Sequence, residues 1–407
     1  MALLTSLLVL ILVARIMGQI FVRFNQPAIV GEMVAGVLLG PSVFNIVHAN
    51  ASLSGIAELA VFLIVLQAGL EMDFDEIIKA FKGKGFILSV LGFGIPFISG
   101  LILAMFFQLD VMRTVFLGLC IAITALPVAI RILHSFNLLN SNIAKYSIAT
   151  SILDDVTALL ALGVILNLPE KTNFQEIGLS IFYVGGKLVL LALFIISFNW
   201  FLHWIQKRVV NIQAIPENLV KMFGSDAPFA ILIILVLTFG SISEVLGFHF
   251  VIGAFFASLL ISRKFFLAAR YTQIEQTLNS LTSGFLAPVF FAYLGLKFTF
   301  TEMHSVLFVV LVLVVSIISK YIAGYLGAKL IGLSGPEAVG VGVILNGRGI
   351  MELVVASIAL ERGFIGAGLF STLVLMGVVT TMITPIMFRR WVLPKLSGSQ
   401  LDLNFKG

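Results

Sequence analysis

The chain has 407 residues, 60% of them hydrophobic and 11% charged, with a formal net charge of +5 and a mean hydropathy of +1.13. A soluble domain carries roughly 25% charged residues, so this composition excludes a water-soluble fold and implies an all-α integral membrane protein. The basic residues fall in short clusters between apolar runs, which excludes nucleic acid as a partner, and the single cysteine, Cys120, excludes an intrachain disulfide or a cysteine-only metal site.

A membrane-spanning helix needs about 20 mostly apolar residues. In chain order thirteen segments meet or approach that length: 2–22, 28–47, 55–72, 86–107, 112–134, 142–167, 177–205, 228–246, 247–262, 284–298, 304–333, 336–360 and 366–391, the ninth and tenth being short. The first has no basic stretch between Met1 and Ser6 and no small-residue cleavage pattern after Arg15, so it is expected to stay rather than be removed as a signal peptide. No loop is long enough for a soluble domain, so a regulatory nucleotide-binding domain is expected only on a separate chain. Lys and Arg are retained on the cytoplasmic side of a bilayer. Seventeen of the 25 fall on one side of this array and four, Arg113, Lys171, Lys297 and Arg362, on the other. That bias predicts an outside N-terminus, an inside C-terminus and an odd number of crossings.

The third and tenth segments both end in Gly-Leu, at Gly69-Leu70 and Gly295-Leu296. The same displacement along the chain carries Thr124 onto Ile350, which lays the fifth segment on the twelfth. Seven crossings separate the partners, so the copies would be inverted, the plan of secondary transporters.

Asp154 and Asp155 stand in the middle of the sixth segment, otherwise apolar from Ile143 to Leu166. A carboxylate at that depth costs several kcal/mol unless it is paired, protonated or turned to a polar cavity. Successive helical residues point about 100° apart, so the two serve different partners. Carboxylates suit a hard cation, and a proton competes for the same oxygens. Lys320 lies equally deep in the eleventh segment and requires a carboxylate, one of the two aspartates, or neutrality. Pro127, after Thr124, interrupts the fifth segment, and Asn346-Gly347-Arg348-Gly349 interrupts the twelfth. Broken backbone at membrane depth offers free carbonyls and helix ends as ion ligands. Arg348 and Glu352, spaced i, i+4, are expected to form a structural ion pair. Glu32, and Gly36 with Gly40, read as packing features; His249 and His203 have no second ligand at metal spacing, so no metal enzyme site and no catalytic residue is assigned.

The chain resembles the monovalent cation:proton antiporter-2 family along essentially its whole length. The resemblance rests on Gln26-Pro27-Ala28-Ile29-Val30-Gly31-Glu32, Gly36-Val37-Leu38-Leu39-Gly40-Pro41-Ser42, Gly69-Leu70-Glu71-Met72-Asp73, the Asp154-Asp155 pair, Lys320, and Asn346-Gly347-Arg348-Gly349-Ile350-Met351-Glu352-Leu353, in that order and spacing. It implies Asp155 as the ligand shared by cation and proton, Asp154 paired with Lys320, and two crossed discontinuous helices around Thr124 and Asn346. It implies further a homodimer whose core slides past a dimerisation domain: 1–85 and 225–303 for dimerisation, 86–170 and 304–392 for the core, 171–210 as the linker and 393–407 as a short cytoplasmic tail. The Asn-Gly-Arg-Gly stretch is similar to potassium-handling relatives and the paired aspartates to electrogenic sodium exchangers, so sodium or potassium at Asp155 is the expected cargo and no resident cofactor is expected. The expected function is electrogenic antiport in a cell membrane, the bacterial inner membrane, with lipid as partner and any regulatory subunit unidentified. The alternative is a potassium-selective channel-like or sensor protein on the same fold.

Overall fold

The structure is a computed structural model that describes residues 2–24, 26–72, 83–167, 174–208, 220–224, 226–261, 266–303 and 305–396. Asp73, the loop cations Lys79, Lys82, Lys171, Arg263, Lys264 and Lys406, and most of the 393–407 tail lie outside the described residues, as do the side chains of His203, Lys207 and Arg208. Among the described residues there are helices and no strands. They are α1 (Leu3–Arg23), α2 (Ala28–Leu39), α3 (Ala51–Leu70), α4 (Lys84–Phe106), α5 (Val111–Ala122), α6 (Leu126–Ser135), α7 (Asn142–Leu166), α8 (Phe174–Arg208), α9 (Ala227–Val245), α10 (Phe250–Leu260), α11 (Ala268–Leu281), α12 (Ala287–Leu296), α13 (Val306–Leu330), α14 (Gly335–Ile344), α15 (Ile350–Glu361) and α16 (Ala367–Met387). Among the described residues ten helical stretches are long and apolar enough to cross a membrane, counting α5 with α6 and α11 with α12 as one each.

Local chemistry sets the ends. Asp110 accepts the Arg113 amide at 3.0 Å to open α5, and Ser305 accepts that of Phe308 at 3.3 Å to open α13. Ser334 and Glu337 form a reciprocal capping box at α14. Two expected boundaries are corrected. The second segment stops at Leu39 rather than 47, because Gly40-Pro41 ends the helix in extended backbone. The tenth, read as 284–298, begins at Ala268: the run from Arg270 through Gln273, Glu275 and Gln276 to Asn279 is too polar for a hydropathy window, and a π turn at Thr282–Leu286 joins it to α12.

By packing, the chain divides into two units, Met1–Ser54 with Glu76–Ala158 and Phe291–Gly407, and Gly55–Asp75 with Leu159–Phe290. This grouping differs from one drawn by span order, since it places α1 and α2 with α4–α6 and α13–α16. In the first unit a Cβ on Gly36 of α2 would fall 1.9 Å from the Ala292 carbonyl oxygen, so only glycine permits that approach. In the second, the Tyr271 hydroxyl of α11 donates to Leu70 O at the end of α3 at 2.9 Å.

Helix starts in the first unit recur at a nearly constant interval. The helices α4, α5, α6 and α7 begin at Lys84, Val111, Leu126 and Asn142, and α13, α14, α15 and α16 at Val306, Gly335, Ile350 and Ala367, so the four successive starts keep nearly the same interval. A Cβ on Gly100 (α4) would lie 2.6 Å from Gly118 Cα (α5), and one on Gly324 (α13) 2.7 Å from Gly342 Cα (α14). Gly324 follows Gly100 by the same interval as Gly342 follows Gly118, so the same backbone-to-backbone crossing is built twice. The slightly longer interval from Gly69 to Gly295 fits the ends of α3 and α12, Leu70 and Leu296, and the glycine interval governs the later helices.

Candidate functional site

The site begins at two gaps in the helical backbone. α5 ends at Ala122 and α6 starts at Leu126; α14 ends at Ile344 and α15 starts at Ile350. Pro127 falls in the first turn of α6, where its missing amide has no intrahelical partner to lose, so it starts a helix rather than kinking one. The gaps meet: the Ala125 amide donates to Gly347 O at 2.9 Å, and the Thr124 hydroxyl donates to Leu345 O at 3.1 Å. A Cβ on Gly349 would lie 2.9 Å from that of Ala125, so glycine there allows the close crossing. The two expected discontinuous helices are therefore present and joined at their breaks.

Lys320, on α13, is fully buried and reaches this crossing. Its Nζ donates to Thr124 Oγ1 at 2.7 Å, to Asp154 Oδ2 at 2.9 Å and to Gly92 O of α4 at 3.0 Å. Three acceptors match the three donors of an ammonium group. Of the two aspartates left open by the sequence as its partner, the geometry brings Asp154 to Lys320. Asp155, one residue on, is equally buried on α7.

Several oxygens around these groups are buried without a hydrogen-bond partner: Oδ1 of Asp154, Oδ1 of Asp155, Oδ1 of Asn346 and Oγ of Ser151. Asn346 uses its amide nitrogen on Gly342 O at 3.0 Å, which leaves the carbonyl oxygen as an available acceptor. Ser151 lies i, i+4 from Asp155, on the same face of α7. Buried polar atoms are nearly always satisfied, so these unpartnered oxygens, three on α7 and one at the second break, are acceptors of the kind that suits a hard monovalent cation or a proton. No group of three His, Cys, Asp or Glu residues able to hold a metal ion occurs among the described residues.

Arg348 is also fully buried and forms the expected ion pair with Glu352, but its hydrogen bonds are made elsewhere. Its nearest approach to Glu352 is 3.8 Å, too long for a hydrogen bond. Its guanidinium instead donates through Nη1 to Cys120 O and through Nη2 to Ile121 O at 2.8 Å, the carbonyls at the C-terminal end of α5. A cation there neutralises the negative end of a half-helix. The Thr381 hydroxyl of α16 donates to Arg348 O at 2.8 Å and fixes the break from the other side.

Ser151 and the carbonyls of Gly92, Cys120 and Ile121 were not singled out in the sequence. Ser151 carried a signal, its i−4 spacing from Asp155; a carbonyl carries none. Glu32 is buried on α2, its carboxylate near where a Cβ on Gly18 of α1 would stand, and Gly36 and Gly40 both pack closely on α12, as read.

Residues 7–393 match the family model described as "Sodium/hydrogen exchanger, transmembrane", and the chain belongs to that family. It is a multi-pass membrane protein. The resemblance read from the motifs is thereby borne out. The chain is 28% identical to a Na(+)/H(+) antiporter of Enterococcus hirae over 94% of this chain and 97% of that one, and 23% identical to the Na(+)/H(+)-K(+) antiporter GerN of Bacillus cereus over 93% and 94%. Its fold is that of the sodium proton antiporter MjNhaP1 from Methanocaldococcus jannaschii, with a TM-score of 0.67 at 17% identity over 96% of this chain and 97% of the other.

Proposed function

We propose that this chain is a secondary active antiporter that exchanges a monovalent cation, sodium before potassium, for protons. The observation that carries the reading is a buried arrangement: Lys320 bound to Asp154 and to Thr124 at the first break, with unpartnered buried oxygens on Asp154, on Asp155 and Ser151 of the same helix and on Asn346 at the second break. Asp155 is the carboxylate for which cation and proton compete. Thr124, Asn346 and Ser151 supply neutral oxygens, and Asp154 with Lys320 balances charge. Exchange at Asp155 alone would leave the net charge of the loaded site unchanged. A second unit in which cation entry frees Lys320 to release its proton makes the cycle electrogenic, each charge moved being worth about 2.3 kcal/mol per 100 mV.

On this reading the chain makes thirteen crossings, N-terminus outside and C-terminus inside. The shared interval between the paired glycines and between the helix starts supports two repeats, and the seven crossings between counterparts would invert them. Residues 1–85 and 225–303 hold two copies together as a homodimer, and 86–170 with 304–392 form the core that slides past them, joined by 171–210. In the conformation described, Ile29, Val30 and Met33 of α2 line a small gap with Arg348, Leu353 and Gly377, a surface along which such a slide would run.

Purified protein in liposomes, with internal pH followed while sodium, potassium and lithium are supplied in turn, tests the proposal. Saturable, cation-dependent proton movement is expected from the native chain and none from Asp155→Asn. Uncoupled cation flux would instead support a channel, and retained exchange in Asp155→Asn would remove that residue from the site.

A further inference from the structure

Glu352 has no part in the exchange scheme, although it lies beside the crossing. It is fully buried on the first turn of α15, and neither carboxylate oxygen has a hydrogen-bond partner. An ionised carboxylate in that position would be expected to draw a guanidinium into a bidentate pair at hydrogen-bonding distance. Arg348 is 3.8 Å away and has given Nη1 and Nη2 to Cys120 O and Ile121 O, while its Nε is unpartnered. The charged and titratable groups that act on Glu352 are Arg348 at its own break, the Cys120 thiol from α5 and Lys320 from α13; α16 presents the backbone of Gly377, where a Cβ would lie 3.6 Å from Oε2. Lys320 is held by three acceptors of its own. Arg348 is thus the partner that Glu352 and the end of α5 share.

We propose that Glu352 is a proton-exchanging carboxyl that positions the break of the fifth span through Arg348. With the proton bound, the guanidinium stays on the carbonyls of Cys120 and Ile121 and the segment 123–125 is held in place. With the proton lost, the carboxylate draws Nη1 away from Cys120 O and loosens the end of α5. Thr124 lies three residues beyond Ile121, so its hydroxyl, which links Lys320 to Leu345, shifts with that end. The proton on Glu352 therefore tunes cation affinity without Glu352 touching the cation. Glu352 is a positioning residue.

The inference rests on the exchange reading only for its kinetic consequence, so the test has an arm that needs no transport. Reconstituted protein is titrated by difference infrared spectroscopy, comparing the native chain with Glu352→Gln. A carboxylic acid carbonyl band that titrates in the native protein and is missing from the variant is expected; identical band sets overturn the proposal. In proteoliposomes the apparent cation affinity of Glu352→Gln should lose at least about a tenfold part of its pH dependence, the change that corresponds to one pH unit of linkage, while Glu352→Asp keeps a displaced profile. A profile for Glu352→Gln that superimposes on the native one also overturns it. Should Glu352→Gln not fold, Glu352→Asp decides in the infrared alone, where an unmoved band and midpoint reject Glu352. Intact exchange with no Glu352 band defeats this inference alone; a Glu352 band without exchange defeats the functional reading alone.

Discussion

The two buried charge pairs of the first unit have opposite constructions. Asp154 and Lys320 sit on unbroken helices, α7 and α13, and meet at 2.9 Å with every ammonium donor used. Arg348 and Glu352 stand at a break, 3.8 Å apart, and the arginine is spent on main-chain carbonyls. A rigid helix delivers a side chain to a side chain, whereas a broken helix exposes backbone that competes for it. The first pair is a committed ion pair, and the second is a cation serving a helix end with a carboxyl beside it.

The sharpest way to break the comparison is to remove one member of the committed pair. Asp154→Asn leaves the buried Lys320 without its hydrogen-bonded counter-charge, and a loss of about 3–5 kcal/mol is expected, read as a fall in thermal midpoint in detergent. Replacing both, Asp154→Asn with Lys320→Met, should return most of that loss; an equally unstable double variant would show that the pair is not the cause.

Next in size is the charge moved per cycle. Currents on a solid-supported membrane after a cation jump should be present in the native protein and lost or strongly reduced in Lys320→Gln. A native protein that exchanges without current removes electrogenicity from the reading, and an unchanged current in the variant removes Lys320 from it.

The smallest effects are expected from the neutral oxygens. Thr124→Ala, Asn346→Ala and Ser151→Ala each remove one acceptor beside a charged ligand and should weaken apparent cation affinity by about 3- to 30-fold, about 0.5–2 kcal/mol, with turnover retained. If all three leave the affinity for every transported cation unchanged, the cation does not bind at the crossing.

Much of this site could be read in the sequence because membrane depth makes charge conspicuous. Asp154, Asp155 and Lys320 stand out against apolar neighbours, and Pro127 and the Gly347–Gly349 stretch mark breaks that the structure places at 123–125 and 345–349. What escaped is what side-chain identity does not encode. The i, i+4 spacing gave the ion pair of Arg348 with Glu352, whereas its hydrogen bonds go to carbonyls, which every residue has. The start of the tenth span escaped for another reason: Arg270, Gln273 and Glu275 make α11 polar by composition, although Tyr271, Ile274 and Leu278 are buried. Helical burial of every third or fourth residue is compatible with a hydropathy too low for a window to flag.

The twin glycine crossings carry one more consequence. Moving Lys320 back by the interval that separates Gly324 from Gly100 lands on Pro96, and moving Asp154 and Asp155 forward by the same interval lands on Val378 and Val379. The paired glycines and the helix starts recur at this interval, and the buried charges do not. What the two halves share is main chain against main chain at Gly100 with Gly118 and Gly324 with Gly342, contacts indifferent to the side chains one turn away. The glycine contacts recur while the charges divide, the carboxylates Asp154 and Asp155 standing on α7 and the cation Lys320 on α13.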